Sequence, residues 1–387
     1  MEVRLPDGTS AAERGPGEAI WSSAPGKNQI KRILCVRLDT LGDVLMTTPA
    51  VCALKESLPG CQITLMTSQP GADAVPYIPE IDDAIVYDAP WMKSTPAGRP
   101  SQYDLDLIDQ LRARRFDAAV IFTVFSQSPL PAALTCYLAG IPLRLAHCRE
   151  NPYHLLTHWV REIEPHETIR HEVQRQLDLV GSAGCSTQNL RLSFRVPDGA
   201  RRCAVERLQQ AGLDLEKPWI AVHPGVSAPS RQYSPAGFAE AARQLAAEDG
   251  LQIVFTGSKQ EAALVEQIRE QAGVATLSAA GQLDLAELGG LIEAAPLLLS
   301  NNTGPVHIAA AVGTPVVDLY ALTNPQHTPW GVPNRVLNHD VPCKYCYKSV
   351  CPQGHHNCLR LVTPQEIVQA VRDLLAEVRG AQPQKGG

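Results

Sequence analysis

Three loops in this chain join a strand end, a glycine or proline, and side chains able to move a proton or hold an anion. The first is Arg37-Leu38-Asp39-Thr40-Leu41-Gly42-Asp43, which follows an apolar strand and enters a helix. Gly42 permits a tight turn and Asp43 falls at the helix start. There the helix dipole and free N–H groups keep a carboxylate ionised and able to take a proton from an attacking hydroxyl. The same spacing also describes an ordinary N-terminal helix acid. Spacing alone favours that second reading.

The second loop runs from His223-Pro224-Gly225 through Val226-Ser227-Ala228-Pro229-Ser230 to Arg231 and a capped helix. Small residues let backbone N–H groups approach an anion, and Arg231 offers a forked donor for phosphate oxygens. A surface loop with a solvated arginine fits equally well. The third loop, Ser300-Asn301-Asn302-Thr303-Gly304-Pro305-Val306-His307, leads into a small-residue helix that ends at Gly313. Thr303 or a neighbour caps it and Pro305 fits its first turn. This aims unpaired N–H groups and the positive dipole end at a ligand such as a diphosphate. His307 lies about one turn in, facing the ligand or packing inside; a lone histidine is more often structural. The chain has no phosphate loop ending in Gly-Lys-Ser/Thr and no dinucleotide Gly-x-Gly-x-x-Gly after the first strand. Kinase and dehydrogenase chemistries lose ground accordingly.

Elements that position these loops are legible as alternation. Lys31–Leu38, Gln62–Met66, Ala84–Tyr87 and Asp117–Thr123 read as buried strands, with helical spacing over Val44–Leu58 and Leu105–Arg115. A second series comprises Trp219–His223, Leu251–Thr256, Ala275–Ser278, Leu297–Ser300 and Pro315–Tyr320. Its helices start at Ser234-Pro235, at Asp284 with Glu287, and at Thr363 with Glu366. Alternating strands and helices predict α/β architecture with two doubly wound, mainly parallel sheets. The expected division is a tail over 1–29, a first domain over 30–196, a turn-rich linker at Pro197-Asp198-Gly199, a second domain over 197–363, a final helix over 364–379 and a tail over 380–387.

Size and composition agree with two lobes and a cleft between them. The chain has 387 residues, 44% of them apolar and 19% charged, with a net charge of −6. That length exceeds an ordinary single core. The negative balance disfavours nucleic acid as a partner. No run reaches the roughly 20 apolar residues of a membrane span, and residues 1–28 lack an apolar signal core. The expected location is the cytoplasm, with at most peripheral membrane contact.

Leu41-Gly42-Asp43-Val44-Leu45, His223-Pro224-Gly225 and Ser300–Ala311, in this order, resemble the family 9 glycosyltransferases, best known as lipopolysaccharide heptosyltransferases. The resemblance runs from about Ile30 to Val378. It implies a GT-B fold, with the acceptor mainly on the first lobe, the nucleotide sugar mainly on the second, and a last helix returning to the first lobe. It also implies an inverting transfer from ADP-heptose to an acceptor hydroxyl at the inner face of the inner membrane. Asp43 matches the general base, and Arg231 lies where a basic residue meets the donor phosphates. Thr303, Gly304 and His307 match the donor loop. His223, Pro224, Gly225, Asn302 and Pro305 complete the expected donor site, with no divalent metal required. At Asn302 the family commonly has Asp, so donor identity is less secure than reaction type. Acceptors in the family include glycans of the lipopolysaccharide type and proteins. Another nucleotide sugar, or a non-catalytic nucleotide-sugar-binding or assembly role on the same fold, are the alternatives.

Of the eleven cysteines, most stand singly in apolar segments, as Cys35, Cys52 and Cys136 do. Cys343, Cys346, Cys351 and Cys358 instead cluster, with His355 and His356 among them. Such density suits a structural zinc or iron, and a similar cysteine-rich segment occurs in related family members; reduced, buried thiols fit as well.

Overall fold

The computed structural model describes residue 21 and residues 30–93, 95 and 98–381. The chain divides into two compact units. One comprises the chain up to Leu38, Pro49–Gln69 and Glu80–Asn189; the other comprises Asp39–Thr48, Pro70–Pro79 and the chain from Leu190. The second unit thus begins seven residues before the expected boundary at 197 and includes the Asp43 segment, which the sequence reading assigned to the first.

The first unit holds strands β1 (Arg32–Arg37), β2 (Gln62–Thr67), β3 (Asp83–Val86), β4 (Ala118–Ile121), β5 (Leu143–Cys148) and β6 (His158–Arg161). They form one parallel sheet in the order β3-β2-β1-β4-β5-β6. Central β1 is buried on both faces, as its unbroken apolar run Ile33-Leu34-Cys35-Val36 requires. Helices α1 (Leu41–Ser57), α2 (Gln69–Ala72), α3 (Gln102–Arg114), α4 (Leu130–Leu138) and α5 (Glu172–Ser182) follow the strands. The expected helix 44–58 therefore starts earlier, at Leu41. Inside α1, Pro49 has no N–H for the Leu45 carbonyl, and the Thr48 hydroxyl donates to that oxygen instead at 2.7 Å. Helix α5 brings buried charge to the sheet. Arg37 on β1 pairs with Glu172 at 2.6 Å with neither side chain exposed, and Arg175 pairs with Glu162 and Glu164.

In the second unit, β7 (Trp219–His223), β8 (Gln252–Phe255), β9 (Leu277–Ser278), β10 (Leu298–Asn301), β11 (Val316–Leu319) and β12 (Asn334–Leu337) repeat the winding as β12-β11-β10-β7-β8-β9, again parallel. Its helices are α6 (Ala200–Gln210), α7 (Pro235–Asp249), α8 (Ala262–Ala272), α9 (Leu285–Ala294), α10 (Gly304–Val312), α11 (Asn357–Arg360) and α12 (Pro364–Ala381). All three predicted caps are present. Ser234 accepts from the Gly237 N–H, Asp284 and Glu287 cap reciprocally, and Thr363 and Glu366 do the same.

Helix α12 packs within the second unit. Its apolar stripe, Ile367, Val368, Val371, Leu374 and Leu375, is buried in the second core, and Arg372 on its outer side pairs with Glu248 and Asp249. Within the stretch read as an N-terminal tail, Trp21 is buried and its N–H donates to the Ala183 carbonyl at 3.3 Å. The rest of that stretch, apart from these residues, and the tail after 381 lie outside the described residues, as does part of the Pro-rich loop 89–103.

Candidate active site

At the centre of the second sheet β7 and β10 are neighbours, while the chain leaves them toward opposite edges, β7 to β8 and β10 to β11. A doubly wound sheet takes its ligand beyond the carboxyl ends of strands at such a switch point. Two of the three loops picked out by sequence leave these two strand ends. They are joined by the amide of Asn301, whose Nδ2 donates to the Pro224 carbonyl at 2.8 Å and whose Oδ1 accepts from the Tyr233 N–H at 3.2 Å. Both bonds are buried, so the Pro224-to-Tyr233 loop is pinned at each end.

Along that loop His223 is buried, with Nδ1 3.0 Å from the Thr256 hydroxyl. Burial pushes its pKa below the usual imidazole range, while the charge of Glu261 pulls the other way. His223 is therefore a neutral support, and no ligand role is needed to explain it. Gly225 has a packing reason for being glycine. A Cβ there would stand 2.0 Å from Glu261 Oε1. Glu261, in turn, is fixed by the Ser258 N–H at 2.8 Å in a capping box. This carboxylate over the loop was not read from the sequence, where Glu261 looks like any acid opening a helix. Arg231 ends a short turn, Pro229–Arg231, and is half-buried with no side-chain hydrogen bond or ion pair to the described residues. Its preceding residue is anchored, the Ser230 N–H and hydroxyl donating to the carbonyls of Ser349 and Lys348 at 3.0 and 2.8 Å. The cysteine-rich segment thus buttresses the loop that carries Arg231.

Helix α10 begins as predicted. Thr303 is its extended cap residue, its hydroxyl makes no capping bond, and Pro305 occupies the first turn. The helix end keeps its positive dipole without a side-chain cap, as an anion site requires. Val306, Ile308 and Ala309 are buried, and Gly313 closes the helix at φ 89°. His307 is 4% exposed. Gly42 lies against its ring: a Cβ at Gly42 would be 2.5 Å from His307 Cδ2, and one at Gly304 would be 3.3 Å from Leu41 Cδ2. The starts of α1 and α10 therefore abut within the second unit, with Asp43 next in the chain to Gly42. Asp43 Oδ2 accepts from the Thr40 N–H at 3.1 Å and the Thr40 hydroxyl at 2.9 Å. It is a helix N-terminal acid in fact, half-buried, with its carboxylate oriented by the cap.

Asn302 turns inward. Its Nδ2 donates to Asp318 Oδ2 and to the His327 carbonyl, both at 2.9 Å. Asp318 is fully buried, and burial raises its pKa to about 8 against the opposing pull of Asn302 and Arg231. Nothing in Val316-Val317-Asp318-Leu319 announced this pairing beyond an acid inside an apolar strand.

The four clustered thiols are close enough to influence one another. Burial raises the Cys358 pKa, and Cys351, Cys343 and Cys346 raise it further. Cys343 Sγ lies 3.7 Å from His355 Nε2. Among the described residues, however, no three His, Cys, Asp or Glu side chains are grouped closely enough to share a metal ion. As arranged, the thiols do not make a tetrahedral set.

The model of glycosyltransferase family 9 (heptosyltransferase) matches residues 105–356. The chain belongs to glycosyltransferase family 9. Lipopolysaccharide heptosyltransferase 2 of Escherichia coli K12 is 26% identical over 367 residues, covering 89% of this chain and 99% of the relative. Among solved structures, the Escherichia coli ADP-heptose lipopolysaccharide heptosyltransferase II superposes with a TM-score of 0.68 at 25% identity, covering 90% of this family 9 chain and 99% of the other. A Veillonella parvula family 9 glycosyltransferase shares the fold with a TM-score of 0.75 at 23% identity, covering 90% and 98%. The paired doubly wound sheets are thus those of a GT-B glycosyltransferase. No helix among the described residues of this glycosyltransferase is long and apolar enough to cross a membrane.

Proposed function

We propose that this glycosyltransferase moves a heptose from ADP-heptose to an acceptor hydroxyl, with inversion, and that the acceptor is a glycan of the lipopolysaccharide core type. The carrying observation is the uncapped start of α10 at the β7/β10 switch point with Arg231 on the adjoining loop, its guanidinium without a hydrogen bond or ion pair among the described residues. A diphosphate seated there meets helix N–H groups and a guanidinium, and the charge that develops on it as the glycosidic bond breaks is stabilised by both. The acceptor oxygen attacks the anomeric carbon, its proton passes to Asp43, and ADP leaves with the bonding pair. The Thr40 bonds orient the Asp43 carboxylate for that transfer. Thr303, Gly304, Pro305 and His307 are the donor residues on α10, with His223, Pro224 and Gly225 shaping the opposite loop.

The family relationship to a lipopolysaccharide heptosyltransferase supports the donor and acceptor assignment. It also supports work at the cytoplasmic face of the inner membrane by peripheral contact. One observation favours a second reading. Asn302 offers a neutral amide beside the donor loop, which suits another nucleotide sugar or, with it, a protein acceptor. For the cysteine segment we propose a structural role, as free thiols or around a zinc or iron ion, supporting the Arg231 loop.

Titration calorimetry with ADP, UDP, GDP and dTDP, and with their sugars, tests the reading. Selective binding of ADP and ADP-heptose is expected, and so is transfer that survives a chelator. Asp43→Asn is expected to abolish transfer with donor affinity nearly unchanged. Preference for another nucleotide would replace the donor, and full activity of Asp43→Asn would remove Asp43 as the base. Absence of any nucleotide binding would favour the non-catalytic role.

A further inference from the structure

Asn302 stands between the end of β10 and the cap of α10, beside the proposed diphosphate position. Both its N–H groups are used inward, on Asp318 Oδ2 and on the His327 carbonyl. A backbone carbonyl can only accept, so the amide cannot be flipped without setting two oxygens together. Oδ1 is what remains. It takes no hydrogen bond from the described residues, and Asn302 keeps 5% of its surface exposed. The Asp318 side chain, for its part, has among the described residues only the hydrogen bond from Asn302, and its Oδ1 is buried without a partner there. A carboxyl placed inside a parallel sheet is costly and adds nothing to the sheet itself. Apart from the charge of Arg231, what acts on it among the described residues is the Asn302 side chain, which stands beside the proposed donor position.

We propose that Asp318 is a positioning residue for the transferred sugar: with the His327 carbonyl it holds both N–H groups of Asn302, so that Asn302 Oδ1 meets a sugar hydroxyl as a fixed acceptor. The inference rests on the donor placement proposed above. It names a neutral, pre-oriented amide oxygen as the group that reads the sugar, with the acid one layer deeper.

Calorimetry on the full chain, comparing ADP with ADP-heptose as probes, separates sugar recognition from nucleotide binding. Asp318→Leu, close in volume but unable to accept, is expected to weaken ADP-heptose about tenfold, the loss of one oriented hydrogen bond, with ADP within about twofold. Asp318→Asn keeps an acceptor for Asn302 and is expected to restore ADP-heptose affinity to within about threefold of the parent. Asn302→Ala, which leaves the strand interior intact, is expected to match the Leu variant and serves if that variant does not fold. Parallel loss of ADP and ADP-heptose in Asp318→Leu would reduce Asp318 to loop support and overturn the proposal. Unchanged ADP-heptose affinity in Asn302→Ala would also overturn it. A parent chain that binds no ADP refutes instead the donor placement on which the proposal stands.

Discussion

Replacing Gly42 by alanine tests whether the start of α1 and the His307 ring act as one unit. The new Cβ would stand 2.5 Å from His307 Cδ2 and 3.2 Å from Nε2, whereas carbon atoms normally pack at about 3.5–4.0 Å. The ring or the first turn of α1 must retreat by about 1 Å. His307 is buried on a helix held against the sheet, so the strain is shared by well-packed neighbours. Overpacking of this kind costs about 1–3 kcal/mol, partly offset by up to about 1 kcal/mol from alanine's better helix propensity. The stability change is therefore small. Displacing a donor-loop residue by about 1 Å, in contrast, lowers kcat/KM by up to about a hundredfold. The assay is initial-rate ADP release alongside thermal unfolding. Gly181→Ala in α5, where nothing lies within 4 Å of the new methyl, is the control and is expected to leave the rate unchanged. In a His307→Ala background the Gly42 substitution is expected to cost no stability, because the clash is gone. Parental kcat/KM in Gly42→Ala, or the same stability cost with and without His307, would refute the coupling.

Arg231→Ala is expected to weaken ADP binding about ten- to a hundredfold, the range for charge-assisted bonds to phosphate, with less effect as salt rises, checked by calorimetry at two ionic strengths. Ser230→Ala removes the hydroxyl bond to Lys348 and is expected to raise the donor KM about fivefold while kcat holds, read from steady-state kinetics. Buried His147 bonds the Arg175 carbonyl at 3.1 Å, and burial, with the charge of Arg175, depresses its pKa from 6.5 to about 3. The unfolded chain then binds the extra proton first. Stability falls as pH drops from 6.5 toward about 3, by up to roughly 5 kcal/mol, and His147→Gln is expected to flatten that part of a urea-unfolding pH series.

The sequence was legible where the sheet interior is purely apolar and glycine, proline or a cap marks the joints. Trp219–His223 appears with its expected bounds, and the three capped helix starts stand at the expected residues. Of the four edge strands, β3 and β9 were legible and β6 and β12 were not. β6, His-Trp-Val-Arg, and β12, Asn-Arg-Val-Leu, are half-exposed and too polar and short to show a period. β5 was hidden by Arg144 and His147, buried polar residues satisfied by backbone carbonyls, of Leu155 and His154 for Arg144 and of Arg175 for His147. The amphipathic pattern of α12 announced a packed helix but not the surface it packs on, because a stripe of Ile, Val and Leu suits any apolar face. At the site, loop composition revealed Asp43, Arg231 and the start of α10. Asp318 and Glu261 stayed silent, since their roles depend on which side chain stands opposite and not on local spacing.

Asn301 ties position 224 and position 233 to the end of a strand roughly seventy residues further along the chain. The donor loop is consequently a cassette with fixed end posts. Between the packed Gly225 and the anchored Ser230, its interior from Val226 to Pro229 is the part open to sequence change, and with it the nucleotide or sugar it reads. Exchanging that interior between family members, with both end posts and the amide between them retained, is the natural unit for re-targeting this enzyme to a new donor.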